Sequence, residues 1–147
     1  MRRYILAVVA VATVLAGACS EESTGATEPP ADDVVLRVVV EGGVAADWTL
    51  AALEEAVPFT ELTIDGDTQN GPLLSAVLAA SGVDEWDSGE VVGFGEGRVF
   101  EVGLEISSSS INDGWILDVT NKGSLKLASV DLPRQQWVRD VGEINLP

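Results

Sequence analysis

Apolar and polar positions alternate in short bursts along most of this chain, and two stretches carry a helical spacing instead. Val34 to Val40 (VVLRVVV) is a β-branched run closed by Glu41-Gly42-Gly43, which predicts a strand. Thr49 is placed to cap a helix over Leu50 to Val57, where Leu50, Leu53 and Val57 share one face and Glu54 and Glu55 turn to water. Pro58 ends that helix. Phe59 to Ile64 predicts a second strand, followed by a polar turn over Asp65 to Gly71. Pro72 suits the N1 position of a second helix. Leu74, Val77, Leu78 and Ser81 recur at helical spacing, and Gly82 is the expected C′ residue.

The second half reads as strands. Val91 to Phe94 and Arg98 to Leu104 form a predicted hairpin closing at Gly95-Glu96-Gly97, with Phe100, Val102 and Leu104 on one face. Ser107 to Ser110 predicts the start of a helical turn before Asn112-Asp113-Gly114. Trp115 to Val119 and Leu125 to Ala128 predict strands around Thr120-Asn121-Lys122-Gly123, and Glu143 to Leu146 alternates as a final strand. Two early helices among mostly short strands predict a single mixed α+β domain from Val34 to Pro147, long enough for one core.

Ahead of that domain, Ser20 to Asp33 (SEESTGATEPPADD) holds no apolar residue larger than alanine and cannot bury enough surface to order itself. It reads as a tether reaching on the order of 20 Å. Arg2 and Arg3 precede an apolar run, Tyr4 to Leu15, that is too short to cross a hydrocarbon core of about 30 Å. Ala16-Gly17-Ala18 then supplies the small residues that a signal peptidase needs before Cys19, the chain's one cysteine. The predicted organisation is a signal peptide over 1–18, Cys19 with the tether over 19–33, and the domain over 34–147. The residues alone leave open an ordinary secretory signal with a leftover thiol. The segment resembles the bacterial lipoprotein signal with its lipobox, with Ala16 where most carry leucine. That resemblance implies that Cys19 is acylated on sulfur, becomes the first residue after cleavage, and anchors the protein to a bacterial membrane, facing outside the cytoplasm. A stable anchor takes more than one acyl chain.

Charge narrows the partners. The chain has 24 acidic and 8 basic residues, and loss of residues 1–18 would remove Arg2, Arg3 and no acid, taking the formal charge from −16 to −18. Such a surface repels nucleic acid and anionic headgroups. The expected partners are the membrane, through the anchor, and an envelope protein or small anionic ligand; nucleic acid is not among them. Histidine is absent, which excludes Ser-His-Asp chemistry and histidine-ligated metal sites. With Cys19 in the anchor, no thiol remains for catalysis. Carboxylates, lysines and hydroxyls would have to carry any reaction, so the composition argues against an enzyme.

Four clusters have chemical readings and plainer ones. Gly93 to Arg98 (GFGEGR) has the glycines of a phosphate loop, but a strand pattern follows them where that loop needs a helix, so it reads as a hairpin turn. Asp65, Asp67 and Asn70 miss the calcium-loop spacing, with Gln69 at the third ligand position and Asn70 in place of glycine. Asp84, Glu85, Asp87 and Glu90 around Trp86 could supply a glycosidase pair, but read as an acidic loop whose tryptophan closes the core edge. Lys122, Lys126, Arg134 and Arg139 could converge on an anion or serve as surface ion pairs.

The order of elements over residues 34–147 resembles the oxidoreductase molybdopterin-binding domain superfamily, the sulfite-oxidase-like fold. Val38 to Gly43 followed by Thr49-Leu50-Ala51-Ala52-Leu53 is similar to the family's opening strand and T-L-x-x-L helix. Gly71 to Leu78 with Gly82 is similar to its G-(P/V)-L-L-x-x-(V/L)-L-x-x-x-G segment. Gly95-Glu96-Gly97 stands for its D-G-Y turn, Lys122-Gly123-Ser124-Leu125 for K-G-P-L, and Trp137, Val141 and Ile144 for the closing W-x-x-x-V-x-x-I. The likeness is to small exported members that lack the molybdenum-ligand cysteine. It implies a pocket between Thr63 to Gly71, Gly93 to Arg98 and Asn121 to Lys126. There Gly95, Gly97, Arg98, Lys122, Gly123 and Lys126 would meet an anionic ligand.

Departures from the family bear on function. Its enzymes bind molybdenum through a cysteine before the second helix, where this chain has Thr63-Ile64-Asp65. The histidines and arginines that hold the pterin phosphate have no evident counterparts, and the segment between Trp115 and Lys122 is shorter. The expectation is a non-catalytic binding or accessory domain without a cofactor. The alternative is a molybdopterin-dependent oxidoreductase or its subunit.

Overall fold

The β-branched run forms β1 (Val34–Val40), and Glu41 and Gly42, at φ 50° and 78°, turn the chain directly into β2 (Gly43–Thr49). Positive φ at both central residues is the hairpin turn whose twist matches that of its strands. The computed structural model describes residues 31–94 and 101–147. The segments expected to be a signal peptide and, nearly all of it, a tether lie outside the described residues with Cys19, as do Gly95, Glu96, Gly97, Arg98 and Phe100.

Helix α1 (Leu50–Ala56) begins where its cap predicts: the Thr49 hydroxyl accepts from the Ala52 N–H at 3.2 Å, and Leu53 is fully buried. β3 (Phe59–Ile64) follows Pro58 with the predicted bounds. The expected polar turn over Asp65 to Gly71 is mostly strand. Asp65 and Gly66, at φ 52° and 86°, suffice to reverse the chain, and β4 (Asp67–Pro72) pairs antiparallel with β3 over its whole length. Pairing satisfies the backbone of this polar run, and tertiary contact overrides its weak strand propensity. Pro72 accordingly ends a strand and is not a helix N1 residue. α2 (Leu74–Ala80) starts two residues later, without a side-chain cap, and buries Leu74, Val77 and Leu78. Gly82, at φ 80°, closes it as predicted.

β5 (Ser88–Phe94) and β6 (Glu101–Ser107) form the expected hairpin, extended beyond the predicted bounds. Leu104 is half-buried, but Val102, on the same face, is 57% exposed. Ser107 to Ser110 closes as a single hydrogen-bonded turn, Ser110 N–H to Ser107 carbonyl at 3.0 Å, and not as a helix. β7 (Trp115–Val119) and β8 (Leu125–Ser129) are a second such hairpin. A short 3-10 turn, Arg134–Gln136, leads into β9 (Val138–Leu146), which extends the predicted final strand at its start.

These elements make one small mixed α+β domain. Its main sheet has seven strands, and β9 holds it together. One edge of β9 pairs with β5; the other pairs antiparallel with β8 in its first half and parallel with β1 in its second. Leu36, Val38, Val91, Leu125, Leu127 and Ile144 from the sheet meet Leu53, Leu74 and Val77 from the helices in a core without solvent contact. Trp86 packs at its edge, as the acidic-loop reading predicts. The β3–β4 hairpin is a separate two-stranded sheet laid against β7. Among the described residues no helix is long and apolar enough to cross a membrane.

Candidate functional site

Two regions concentrate charged and aromatic side chains. The first lies where the β3–β4 hairpin meets β7, β8 and the 3-10 turn. Ile64, Ile116 and Ala128 are buried together there, with Leu62, Leu73 and Trp137 packed around them. Arg134 sits over Trp137 at 5.4 Å and grips the hairpin turn. Its Nη1 pairs with Asp67 at 2.7 Å, its Nε lies 3.5 Å from the Asp65 carboxylate, and Nη2 donates to the Ile64 and Asp65 carbonyls at 3.3 Å. The hydrogen bond to Asp67 raises the Arg134 pKa above its ordinary value, with the charges of Asp67 and Asp65 adding to it against desolvation. Lys126 lies 5.7 Å from the same ring and pairs with Asp118 at 3.0 Å. Asp118 is buried, and its other oxygen accepts from the Asn70 N–H at 2.7 Å, so the ion pair ties β8 to β4 through β7.

The second region is a cleft of about 1120 Å³ at one end of the main sheet. Its apolar lining includes Val39, Ile106, Trp115, Leu132 and Leu146, and its carboxylates are Glu90, Glu105 and Asp131. Register explains the juxtaposition: Glu105, Glu90 and Asn145 stand directly opposite one another across β6, β5 and β9. Glu90 folds over Gly103, where a Cβ would collide with the carboxylate. Asp131 is fixed by two donors on one oxygen, Asn112 Nδ2 at 2.8 Å and the buried Trp115 Nε1 at 3.2 Å. No lysine or arginine among the described residues lines this cleft.

The expected pocket is only partly assembled by the described residues. Thr63 to Gly71 and Lys126 do meet, through Asp118. Gly93 and Leu125 both pair with Val141, which places β5 and the start of β8 on opposite edges of β9, one strand apart. Lys126, however, is engaged by Asp118 and Trp137. Lys122 is exposed in the turn that Gly123 closes at φ 77°, and neither lysine lines the cleft. Gly95, Gly97, Arg98 and Cys19 lie outside the described residues. Lys126 and Arg134 are ion-paired, as the surface-pair reading predicts. Of the cleft carboxylates, Glu90 was visible in an acid-rich stretch; Glu105 and Asp131 carry no local signal, because strand register and the end of β8 bring them there.

A pterin cofactor of the kind the resemblance implies does not fit the described residues. The neighbourhood that the resemblance gives to the thiolate, Thr63-Ile64-Asp65, ends in a turn held by the Arg134 guanidinium, and the cleft offers carboxylates to what would be an anionic phosphate. No protein-family model matches the chain, and no curated protein matches its sequence.

Proposed function

We propose that this protein is a lipid-anchored binding or accessory domain, facing outside the bacterial cytoplasm, with a degenerate sulfite-oxidase-like architecture and no catalytic role. The observation that carries the reading is the turn at Asp65-Gly66. Where the resemblance places a cysteine thiolate, this chain has Thr63-Ile64-Asp65, and Asp65, at φ 52°, has its carbonyl and carboxylate both held by Arg134. A guanidinium there makes a structural ion pair and supplies no electron pair to a metal. The composition points the same way, with no histidine and a single cysteine at the end of an apolar leader. A fold can outlast the chemistry once performed on it.

The test is made on protein purified natively from its own host. Metal analysis is expected to find no molybdenum in stoichiometric amount, and labelled fatty acid is expected to enter the wild-type chain but not Cys19→Ser. Stoichiometric molybdenum with pterin fluorescence would establish the oxidoreductase alternative. Undiminished labelling of Cys19→Ser would remove the anchor.

A further inference from the structure

We propose that the outer part of the β3–β4 hairpin, Leu62 to Gln69, is a strap that lifts from β7 and β8 while the main sheet stays closed, and that Gln69 is the residue that keeps it close to opening. The proposal concerns how the domain moves and is independent of what the domain binds.

Gln69 is 3% exposed, and its Oε1 is buried with no hydrogen-bond partner among the described residues. Register shows what surrounds it. Gln69 stands directly opposite Leu62, and opposed residues of an antiparallel pair share a face. Leu62 packs on Ile64, Ile116 and Ala128, so the Gln69 amide is turned toward that small apolar cluster. An acceptor left unmet there gives up its hydration when the hairpin closes and regains it when the hairpin lifts.

The attachments of the hairpin differ between its two ends. At the base, the backbone of Gly71 packs against the Leu117 carbonyl, Leu73 bridges to Ile116, and the Asn70 N–H is held by Asp118 at 2.7 Å. At the tip the latch is Arg134 with Asp65 and Asp67, whose side chains are 43, 72 and 61% exposed. Exposed ion pairs are weak and are screened by salt. Between the two ends lies a cluster of three buried residues that is separate from the main core, and β3 pairs with no strand but β4 among the described residues. A base fixed by backbone contact, a salt-sensitive tip and an unmet acceptor between them make a hinged element. Lifting uncovers Ile116 and Ala128 and leaves the packing of β1, β5 and β9 intact. A two-stranded hairpin standing alone in water is marginally stable, so the lifted strap frays and its amides exchange.

The experiment is hydrogen exchange read by mass spectrometry on the full chain purified in detergent, at low and at high sodium chloride concentration. Wild-type amides over Leu62 to Gln69 are expected to exchange faster than those of β1, β5 and β9, and about threefold faster again in high salt, with the three core strands unmoved as the internal control. Gln69→Met fills nearly the same space without an acceptor and is expected to slow exchange over the strap about tenfold. Gln69→Leu, shorter but also without an acceptor, is the second variant and is expected to act in the same direction. Both are expected to leave β1, β5 and β9 at wild-type rates. Slower strap exchange in neither variant would show that the amide steadies the closed hairpin and would overturn the proposal. Strap and core strands changing in parallel would overturn the hinge, and exchange over the strap that ignores salt would overturn the latch.

Discussion

Arg37 and Asp47 face each other across β1 and β2 in a two-point pair, Nε to Oδ1 at 2.7 Å and Nη2 to Oδ2 at 2.8 Å, with 5% of Arg37 exposed. The hydrogen bond from Arg37 holds the Asp47 carboxyl below its ordinary 3.8; partial burial opposes this and the guanidinium charge adds to it. A depressed native pKa contributes stability in full above the unfolded value of about 3.9, and that contribution fades as pH falls through the native one. Asp47→Asn is therefore expected to lose about 2 kcal/mol at pH 7, less than a fully enclosed pair because Asp47 is partly exposed. Urea titrations across pH should show the gap from wild type closing only below the carboxylate range; a gap independent of pH would assign the loss to packing.

At Gly71 the backbone of β4 packs directly against that of β7. A Cβ built on it would collide with the Leu117 carbonyl oxygen, a backbone atom that cannot rotate away. Gly71→Ala is expected to cost about 2 to 3 kcal/mol by forcing the two strands apart. Denaturant melts measure it, and a loss below half of that would show that the hairpin shifts freely.

Asp118 has two obligations, the Asn70 N–H and Lys126. Asp118→Ala leaves the Asn70 amide and the Lys126 ammonium without their shared acceptor, and the expected loss is about 2 kcal/mol. Lys126→Met keeps the hydrogen bond to Asn70 and the stem over Trp137, and is expected to lose less than Asp118→Ala. The reverse order in urea melts would mean that the ion pair outweighs the hydrogen bond.

Arg134→Ala removes the clamp on the β3–β4 turn and one of the two cations over Trp137. Hydrogen exchange is expected to quicken at the amides of Leu62 to Gln69 while the core strands β1, β5 and β9 keep their protection. Equal acceleration throughout would show that the hairpin and main sheet open as one unit.

Local chemistry made part of this fold legible. The Thr49 cap, Pro58, the β-branched β1 and the Gly82 stop each act within a few residues, and each stands where the sequence predicts. β2 escaped because Gly43 to Thr49 is largely exposed and held by its pairing with β1. β4 escaped for a related reason: Asp-Thr-Gln-Asn-Gly is turn-like until β3 and β7 enclose it. The cleft was least legible. Glu90 and Glu105 are separated in sequence by the hairpin that aligns them, and Asp131 is held at the rim by an amide and an indole, Asn112 and Trp115, that only the fold brings near it.

The placement of β9 has a consequence for how the chain is made. The four preceding pairs, β1 with β2, β3 with β4, β5 with β6 and β7 with β8, are each neighbours in sequence and can form as soon as they are synthesised. Among the described residues of the main sheet, three of them are joined to one another only through the nine residues of β9. Before β9 is in place the chain has hairpins but no continuous sheet, and its core strands wait on their common neighbour. Cooperative folding is thereby deferred until β9 joins the sheet, which makes that strand the point at which the domain commits.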